Sequence, residues 1–155
     1  EEGAKVFITD INQDTLKTIS AKYNAEVVSL DGIYDVDMDI YAPCALGATL
    51  NTENIARLKC GVVSGAANNQ LADEFVHGPM LESKGILYAP DFLINAGGLI
   101  NVYSELHGYD RKVAIQHTEA IYETTLEVFR KATTEKISTI EAAKKIAEER
   151  IAGSR

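Results

Sequence analysis

The chain has 155 residues, of which 46% are apolar and 25% are charged, and its formal net charge is −8. This composition is typical of one soluble globular domain, with at most one appendage, and the length is sufficient for a substantial hydrophobic core. The acidic balance argues against nucleic acid or an anionic membrane as the main partner, because both attract clustered Lys and Arg. No apolar run approaches the roughly 20 residues of a membrane helix. No signal-peptide pattern is present, and the two cysteines, Cys44 and Cys60, favour a reducing, cytoplasmic setting.

Short apolar runs alternate with short helical patterns over the first two thirds of the chain. The predicted strands cover residues 6–8, 27–28, 38–42, 61–64 and 85–89. The predicted helices cover residues 13–23, 52–58, 71–76 and 96–106. Because the strand runs lack polar alternation, we expect a parallel sheet covered on both faces. The order of elements predicts a doubly wound α/β fold, in which ligands bind beyond the C-terminal ends of the strands.

After Gly108 the pattern becomes entirely helical. A long helix is predicted over residues 112–133, and Ser138 with Glu141 matches the capping box that begins a last helix. The buried side of that last helix is predicted to carry Ile140, Ala143, Ala147 and Ile151. We expect these helices to complete the core or to pack toward a further domain.

The first residues of the chain place Gly3 directly before an apolar strand, as at the end of a helix that leads into β-structure. This favours a chain that begins partway through a larger fold over a native N-terminus that frays.

The first predicted strand ends at Asp10. In a dinucleotide-binding sheet, an acid at the end of the second strand accepts hydrogen bonds from the adenosine ribose hydroxyls. Its charge would repel a 2′-phosphate, and no Arg follows over residues 11–13, so the pattern favours NAD over NADP. Taken alone, Asp10 is better interpreted as a helix cap.

Small residues and amides follow the next strands. Residues 42–48 are rich in alanine and glycine and would allow a flat ligand to approach the backbone. Cys44 in this loop is interpreted as a structural thiol, because no basic residue or His lies nearby in sequence. Two carboxamides, Asn68 and Asn69, follow the strand at 61–64 and suit recognition of a carboxamide or a carboxylate. An Asn-rich turn explains them equally well.

The strand at 85–89 leads into paired glycines, Gly97 and Gly98, at the start of a helix. Leu99 and Val102 lie three apart on that helix and could line an apolar pocket, although core packing is the commoner role of such residues. The three histidines lack metal-ligand spacing, and no Ser-His-Asp pattern is present. We predict no metal and no catalytic residue within this chain.

Four segments of the sequence, by their residues, order and spacing, resemble a known family of proteins. They are residues 9–12 (TDIN), 42–47 (APCALG), 65–70 (GAANNQ) and 90–98 (PDFLINAGG). Together they resemble the nucleotide-binding half of the glutamate, leucine, phenylalanine and valine dehydrogenases, and most closely the members that oxidise leucine. The resemblance implies a Rossmann-like sheet that lacks its first strand and glycine loop. It also implies a partial dinucleotide-binding domain at 1–107, on which the C-terminal helices at 108–155 pack.

The resemblance also implies an activity. A branched-chain L-amino acid (leucine, valine or isoleucine) would be oxidised at its α-carbon to a 2-oxo acid and ammonia, with hydride passing to NAD. The residues that the match places near the cofactor are Asp10, Ile11, Cys44, Ala45, Leu46, Ala66, Ala67, Asn68 and Asn95. Those that it places near the substrate are Asn68, Leu99 and Val102, and an aliphatic wall suits an aliphatic amino acid.

Two features of the family are not found in this sequence. No G-x-G-x-x-G occurs, although the family carries that loop before the strand that here begins near Lys5. The N-terminal substrate domain, with the lysines that bind the substrate carboxylate and act as general base, is also absent. We therefore expect the parent protein to be an enzyme, homo-oligomeric at full length, and this chain alone to be inactive. The alternatives are a phenylalanine dehydrogenase and a non-catalytic module that binds a nucleotide or a partner chain.

Overall fold

The computed structural model of the protein describes residues 3–45 and 47–153. Short parallel strands alternate with helices, so the predicted α/β class is confirmed. The strands are β1 (Phe7–Ile8), β2 (Glu26–Val27), β3 (Ile40–Tyr41), β4 (Val62–Val63) and β5 (Leu87–Tyr88). The helices are α1 (Gln13–Tyr23), α2 (Thr52–Arg57), α3 (Glu74–Ser83), α4 (Asp91–Ile94), α5 (Gly97–Leu106), α6 (Arg111–Glu135) and α7 (Thr139–Gly153), and a 3-10 turn covers Gly32–Asp35.

The strands form two parallel sheets. β1 pairs with β2, and β4 lies between β3 and β5, with Tyr41 opposite Val63 and Val63 opposite Tyr88. Among the described residues, β1 pairs only with β2 and β3 only with β4. One edge of β1 and one edge of β3 are therefore free of strand partners within the part of the chain that the structure covers.

Side-chain caps determine where the predicted helices begin. The Asn12 side chain accepts hydrogen bonds from the backbone N–H groups of Asp14 and Thr15, at 3.1 and 3.0 Å, and α1 starts directly after it. Asn51 caps α2 in the same way, through the N–H of Asn54 at 2.9 Å. Asn and Asp are favoured at this position because their short side chains satisfy amides that have no partner within the helix. The predicted bounds of α1 are confirmed.

The predicted bounds of the helix at 71–76 are wrong, since the helix covers Glu74–Ser83. Leu71 instead forms a parallel bridge with Leu50, and α3 begins only after Asp73, whose carboxylate caps the N–H groups of Phe75 and Val76. The helix then continues through Pro79 to Ser83. The short helix α4 was not predicted from the sequence either.

One face of the three-stranded sheet packs into the main core. Tyr41, Val63 and Tyr88 are buried against Ile55 and Leu81 of α2 and α3. Side chains on the opposite face are exposed, with Ile40 at 59% and Leu87 at 39%. These two side chains are therefore left partly uncovered by the helices that the structure describes.

The C-terminal helices form a second cluster. Val128 and Ala132 of α6 pack against Ala143 and Ile146 of α7. Ala147 and Ile151, which were predicted to be buried, are exposed. Ser138 accepts the N–H of Glu141, as the capping box predicts, whereas the Glu141 carboxylate pairs with Lys145. None of the helices that the structure describes is long and apolar enough to cross a membrane.

Arg57 joins the end of α2 to the acidic turn. Its guanidinium hydrogen-bonds the carboxylates of Asp31 at 2.6 Å and Asp35 at 2.7 Å, and this holds the pKa of both carboxyl groups below its usual range. A carboxyl group whose pKa is lowered by folding stabilises the protein above its unfolded pKa, near 3.9, and loses that contribution as the pH falls through the folded value.

We therefore expect Arg57→Gln to lower the melting temperature at pH 7, and expect the difference from wild type to shrink on going to pH 3. Thermal unfolding followed by circular dichroism at both pH values measures it. Lys17→Gln is the control, since Lys17 only approaches Asp14 at 3.7 Å on an exposed helix face. A wild-type advantage that stays constant from pH 7 to pH 3 would contradict the expectation.

Candidate functional site

The loops that follow β3 and β4 contact each other directly. The N–H of Ala67 donates to the carbonyl of Pro43 at 3.1 Å. A Cβ placed on Gly65 would lie 2.2 Å from the Pro43 oxygen and 2.5 Å from its nitrogen. Only glycine allows the two backbones to approach this closely, because backbone atoms cannot move aside as a flexible side chain would.

The loops after β4 and β5 meet through two carboxamides. The side-chain NH2 of Asn95 donates a hydrogen bond to the side-chain oxygen of Asn68. This bond leaves the Asn68 NH2 group as a donor and the Asn95 oxygen as an acceptor. The pair can therefore present both kinds of hydrogen-bonding group to a ligand, such as a carboxylate or another amide.

A cleft of ~520 Å³ adjoins this pair. Asn68, Asn69, Asp91 and Phe92 are among the residues that line it. This size and the mixture of polar groups with an aromatic wall are typical of small-molecule sites. Burial raises the pKa of Tyr88, which also lines the cleft, and so favours its neutral phenol.

Two residues of this region, Gln70 and Asp91, were missed from the sequence as site candidates, whereas Asn69 had been singled out with Asn68. Asn69 has a left-handed backbone (φ 54°) and lines the cleft. Gln70 is fully buried, and its N–H donates to the Asp91 carboxylate. Buried polar side chains almost always hold hydrogen bonds, but the burial of Gln70 is visible only in the structure and not in the sequence.

Other predicted cofactor residues occupy the same pair of loops. Cys44 and Ala45 are exposed after β3, and Ala66 is exposed after β4, whereas Ala67 is buried. Leu46 lies outside the described residues. Cys44 and Cys60 are both free thiols, and burial raises the pKa of Cys60.

Asp10 and Ile11 lie at the end of β1, in the two-stranded sheet. The Asp10 carboxylate accepts the N–H of Asn12 at 2.8 Å and is otherwise exposed, and Ile11 is 83% exposed. Among the described residues, no hydrogen bond or ion pair joins these two to the other strand-end loops. The prediction that Asp10 merely caps a helix is not met, since Asn12 is the cap of α1.

Leu99 and Val102 are not core residues. They are 73% and 54% exposed on α5, which begins directly after Asn95 and Ala96. Core packing, the commoner role of such residues, does not explain them, and they are available to contact a ligand or another segment of protein.

The described residues fit part of a dinucleotide. An exposed carboxylate follows β1, and loops of small residues follow β3 and β4, which touch each other at Gly65 and Pro43. These features suit the two ribose ends of the cofactor. The glycine loop that would hold a pyrophosphate is not found in the sequence, so the fit is to the two ends of a dinucleotide and not to its middle. Within the described ranges, no group of three or more His, Cys, Asp or Glu residues could hold a metal ion.

Known proteins resemble this chain over nearly its full length. Leucine dehydrogenase of Thermoactinomyces intermedius is 55% identical over 97% of the chain, and phenylalanine dehydrogenase of Caldalkalibacillus thermarum is 43% identical over 97%. The crystal structure of L-tryptophan dehydrogenase from Nostoc punctiforme superposes with a TM-score of 0.94, at 45% identity over 97% of the chain.

The chain spans less than half the length of these relatives: 41% of the leucine enzyme, 42% of the phenylalanine enzyme and 46% of the solved tryptophan enzyme. The sequence profile of the Glutamate/Leucine/Phenylalanine/Valine dehydrogenase family matches residues 4–154. The chain therefore belongs to the glutamate/leucine/phenylalanine/valine dehydrogenase family.

Proposed function

We propose that the chain is the NAD-binding portion of an amino acid dehydrogenase that oxidatively deaminates leucine, valine and isoleucine. The observation that carries the proposal is the meeting of Asn68 and Asn95 where the strand-end loops join, beside a cleft. The aliphatic side chains of Leu99 and Val102, exposed on the helix that follows Asn95, favour an aliphatic substrate. The 43% identity to a phenylalanine dehydrogenase makes phenylalanine the second candidate.

In this proposal the residues of the chain bind and orient. Asp10 accepts the adenosine ribose hydroxyls, beside Ile11. Cys44, Ala45, Ala66 and Ala67 line the path of the dinucleotide with small or apolar groups. Asn68 and Asn95 hold the nicotinamide end and the substrate in register through their remaining donor and acceptor. When bound, NAD supplies the acceptor for the hydride of the substrate α-carbon.

We further propose that the complete protein supplies what this chain does not. In a dinucleotide-binding sheet one strand lies between the positions that β1 and β3 hold here, and the free edges of both strands would pair with it. Residues 1–107 would then belong to the cofactor domain and residues 108–155 to helices that pack on it. A substrate domain with the catalytic lysines, homo-oligomeric assembly and a cytoplasmic location complete the proposal.

A chimera tests this function. This chain replaces the matched 41% of the Thermoactinomyces intermedius leucine dehydrogenase, and NADH formation is followed by absorbance. We expect turnover of leucine, valine and isoleucine by the chimera and none by the 155-residue chain alone. Activity of the isolated chain would overturn the proposal. Faster turnover of phenylalanine than of leucine would make phenylalanine the substrate. NAD binding without turnover would favour a non-catalytic nucleotide-binding module.

The side-chain pocket is tested by Leu99→Ala with Val102→Ala in the chimera. We expect the ratio of kcat/KM for phenylalanine to that for leucine to rise about tenfold or more, because each methylene in such a pocket is worth about 1–3 kcal/mol. Leu30→Ala is the matched control, since Leu30 is also about half exposed, at 53%, but lies outside α5. An unchanged ratio would remove Leu99 and Val102 from the pocket.

A further inference from the structure

We propose that Asp91 and Gln70 are positioning residues that hold Asn68 and Asn95 in the arrangement presented to the ligand. The inference rests on the proposed function, in which the two asparagines contact cofactor and substrate. Neither positioning residue needs to touch the ligand. Their role follows from a closed set of hydrogen bonds that joins the loop after β4 to the loop after β5.

The buried side chain of Gln70 holds the loop that carries Asn68 through hydrogen bonds to its backbone. Its side chain is fully buried, and its Nε2 donates to the carbonyl of Gly65 at 2.7 Å and to that of Ala67 at 2.9 Å. Two carbonyl acceptors require the NH2 group to face them, so the amide has one orientation. Its Oε1 is buried with no hydrogen-bond partner among the described residues, so the loop is held by the Nε2 bonds.

Asp91 connects this loop to Asn95. Its Oδ2 accepts the backbone N–H of Gln70 at 3.1 Å, and its Oδ1 accepts the N–H of Phe92 at 2.8 Å. The backbone carbonyl of Asp91 accepts the N–H of Asn95 at 2.9 Å. Since the Asn95 side chain donates to Asn68, two residues before Gln70, the ring closes on itself.

The ring fixes the distance between two side chains, Asn68 and Asn95, that lie in the loops after different strands. Without the Asp91 carboxylate, the loop after β4 would keep the hydrogen bonds of the Gln70 side chain. It would lose the bond from the Gln70 N–H to Asp91, which ties it to the start of α4. Asn68 and Asn95 would then be joined only by their own exposed hydrogen bond. A displacement of about 1 Å at such a site can cost about 10²-fold in rate.

Asp91→Asn tests this role, because it keeps the size of the side chain and replaces one acceptor oxygen with a donor that faces an N–H group. In the chimera we expect kcat/KM for leucine to fall about 10- to 100-fold. Asn68→Ala should cause a similar loss, and the double variant should lie within about threefold of Asn68→Ala alone, because both act through Asn68. The inference would be overturned if the fall in kcat/KM of the double variant equalled the product of the falls in the two single variants.

Asp110→Asn is the matched control. Asp110 also accepts two backbone N–H groups, those of Lys112 and Val113, at the start of α6. Among the described residues, no hydrogen bond joins it to the ring. Whatever fall in kcat/KM Asp110→Asn causes, we expect that fall to multiply with the fall caused by Asn68→Ala in the double variant.

A second measurement does not depend on turnover. In the 155-residue chain with ¹⁵N-labelled asparagine, Asp91→Asn should shift the side-chain NH2 resonances of Asn95 and Asn68, and Asp110→Asn should not. Gln70→Glu, of the same size, should shift them as well. An inactive chimera with these shifts would refute the proposed function and support the positioning role. Unchanged resonances in both ring variants would overturn the positioning role itself.

Discussion

Gly65→Ala is expected to lower the free energy of unfolding by ~3 kcal/mol, the upper end of the usual cost of forcing extra atoms into a packed site. The added Cβ would lie 2.2 Å from the carbonyl oxygen of Pro43 and 2.7 Å from its carbonyl carbon. All the near atoms belong to backbone, so the two strand-end loops must separate. That separation breaks the hydrogen bond between Ala67 and Pro43 and should also abolish nucleotide binding. Urea unfolding of the chain, followed by circular dichroism, measures the loss.

Gly98→Ala provides the matched control for this substitution. A Cβ on Gly98 meets no atom within 4 Å, and the residue lies in α5. Alanine is favoured over glycine within helices by up to about 1 kcal/mol, so Gly98→Ala should leave stability unchanged or raise it. Equal stability of Gly65→Ala and wild type would show that the loops after β3 and β4 do not touch in solution.

The order of strands and helices was predictable because each is encoded locally. Asn12 marks the start of α1 by its own hydrogen bonds. Val62 and Val63 are both apolar, so this strand carries an apolar side chain on each face of the sheet. The rule that ligands bind beyond the C-terminal ends of parallel strands then located Asn68 as a candidate, and the family resemblance added Asn95. The structure places these two in contact, in agreement with that rule.

Helix α3 was not predictable because tertiary packing overrides local preference there. Gly78 and Pro79 are both unfavourable within a helix, yet α3 passes through them. A Cβ on Gly78 would lie 3.1 Å from Ile140 of α7, so the glycine allows the two helices to approach closely. The partner is about 60 residues away in sequence, and no local pattern signals it.

The ring of hydrogen bonds through Gln70 and Asp91 was also not predictable, because it joins residues that are distant in sequence. The two residues lie 21 positions apart in sequence, so no local pattern shows that they are hydrogen-bonded. The exposure of Leu99 and Val102 was also not predictable, because an apolar pair three apart in a helix is usually buried. Burial depends on what packs against the helix, which the helix sequence does not specify.

The second large effect is expected from the cofactor end of β1. Asp10 offers one carboxylate oxygen to the N–H of Asn12 and leaves the other without a hydrogen bond among the described residues. In the proposed function this second oxygen accepts the adenosine ribose hydroxyls, and its charge disfavours a 2′-phosphate. Hydrogen bonds to a charged group contribute about 1.5–3 kcal/mol.

Asp10→Asn is therefore expected to raise the Kd of the chimera for NAD about 10- to 100-fold, since 1.4 kcal/mol corresponds to a factor of ten. The amide oxygen can keep the bond to Asn12, so the local turn should persist while the charge is lost. The Kd for NADP should fall or stay constant, because the repulsion of its phosphate disappears. Calorimetric titration with both cofactors measures the two constants, and Asp14→Asn, an exposed acid in the first turn of α1, is the control. If Asp10→Asn and Asp14→Asn bind NAD equally well, Asp10 does not contact the ribose.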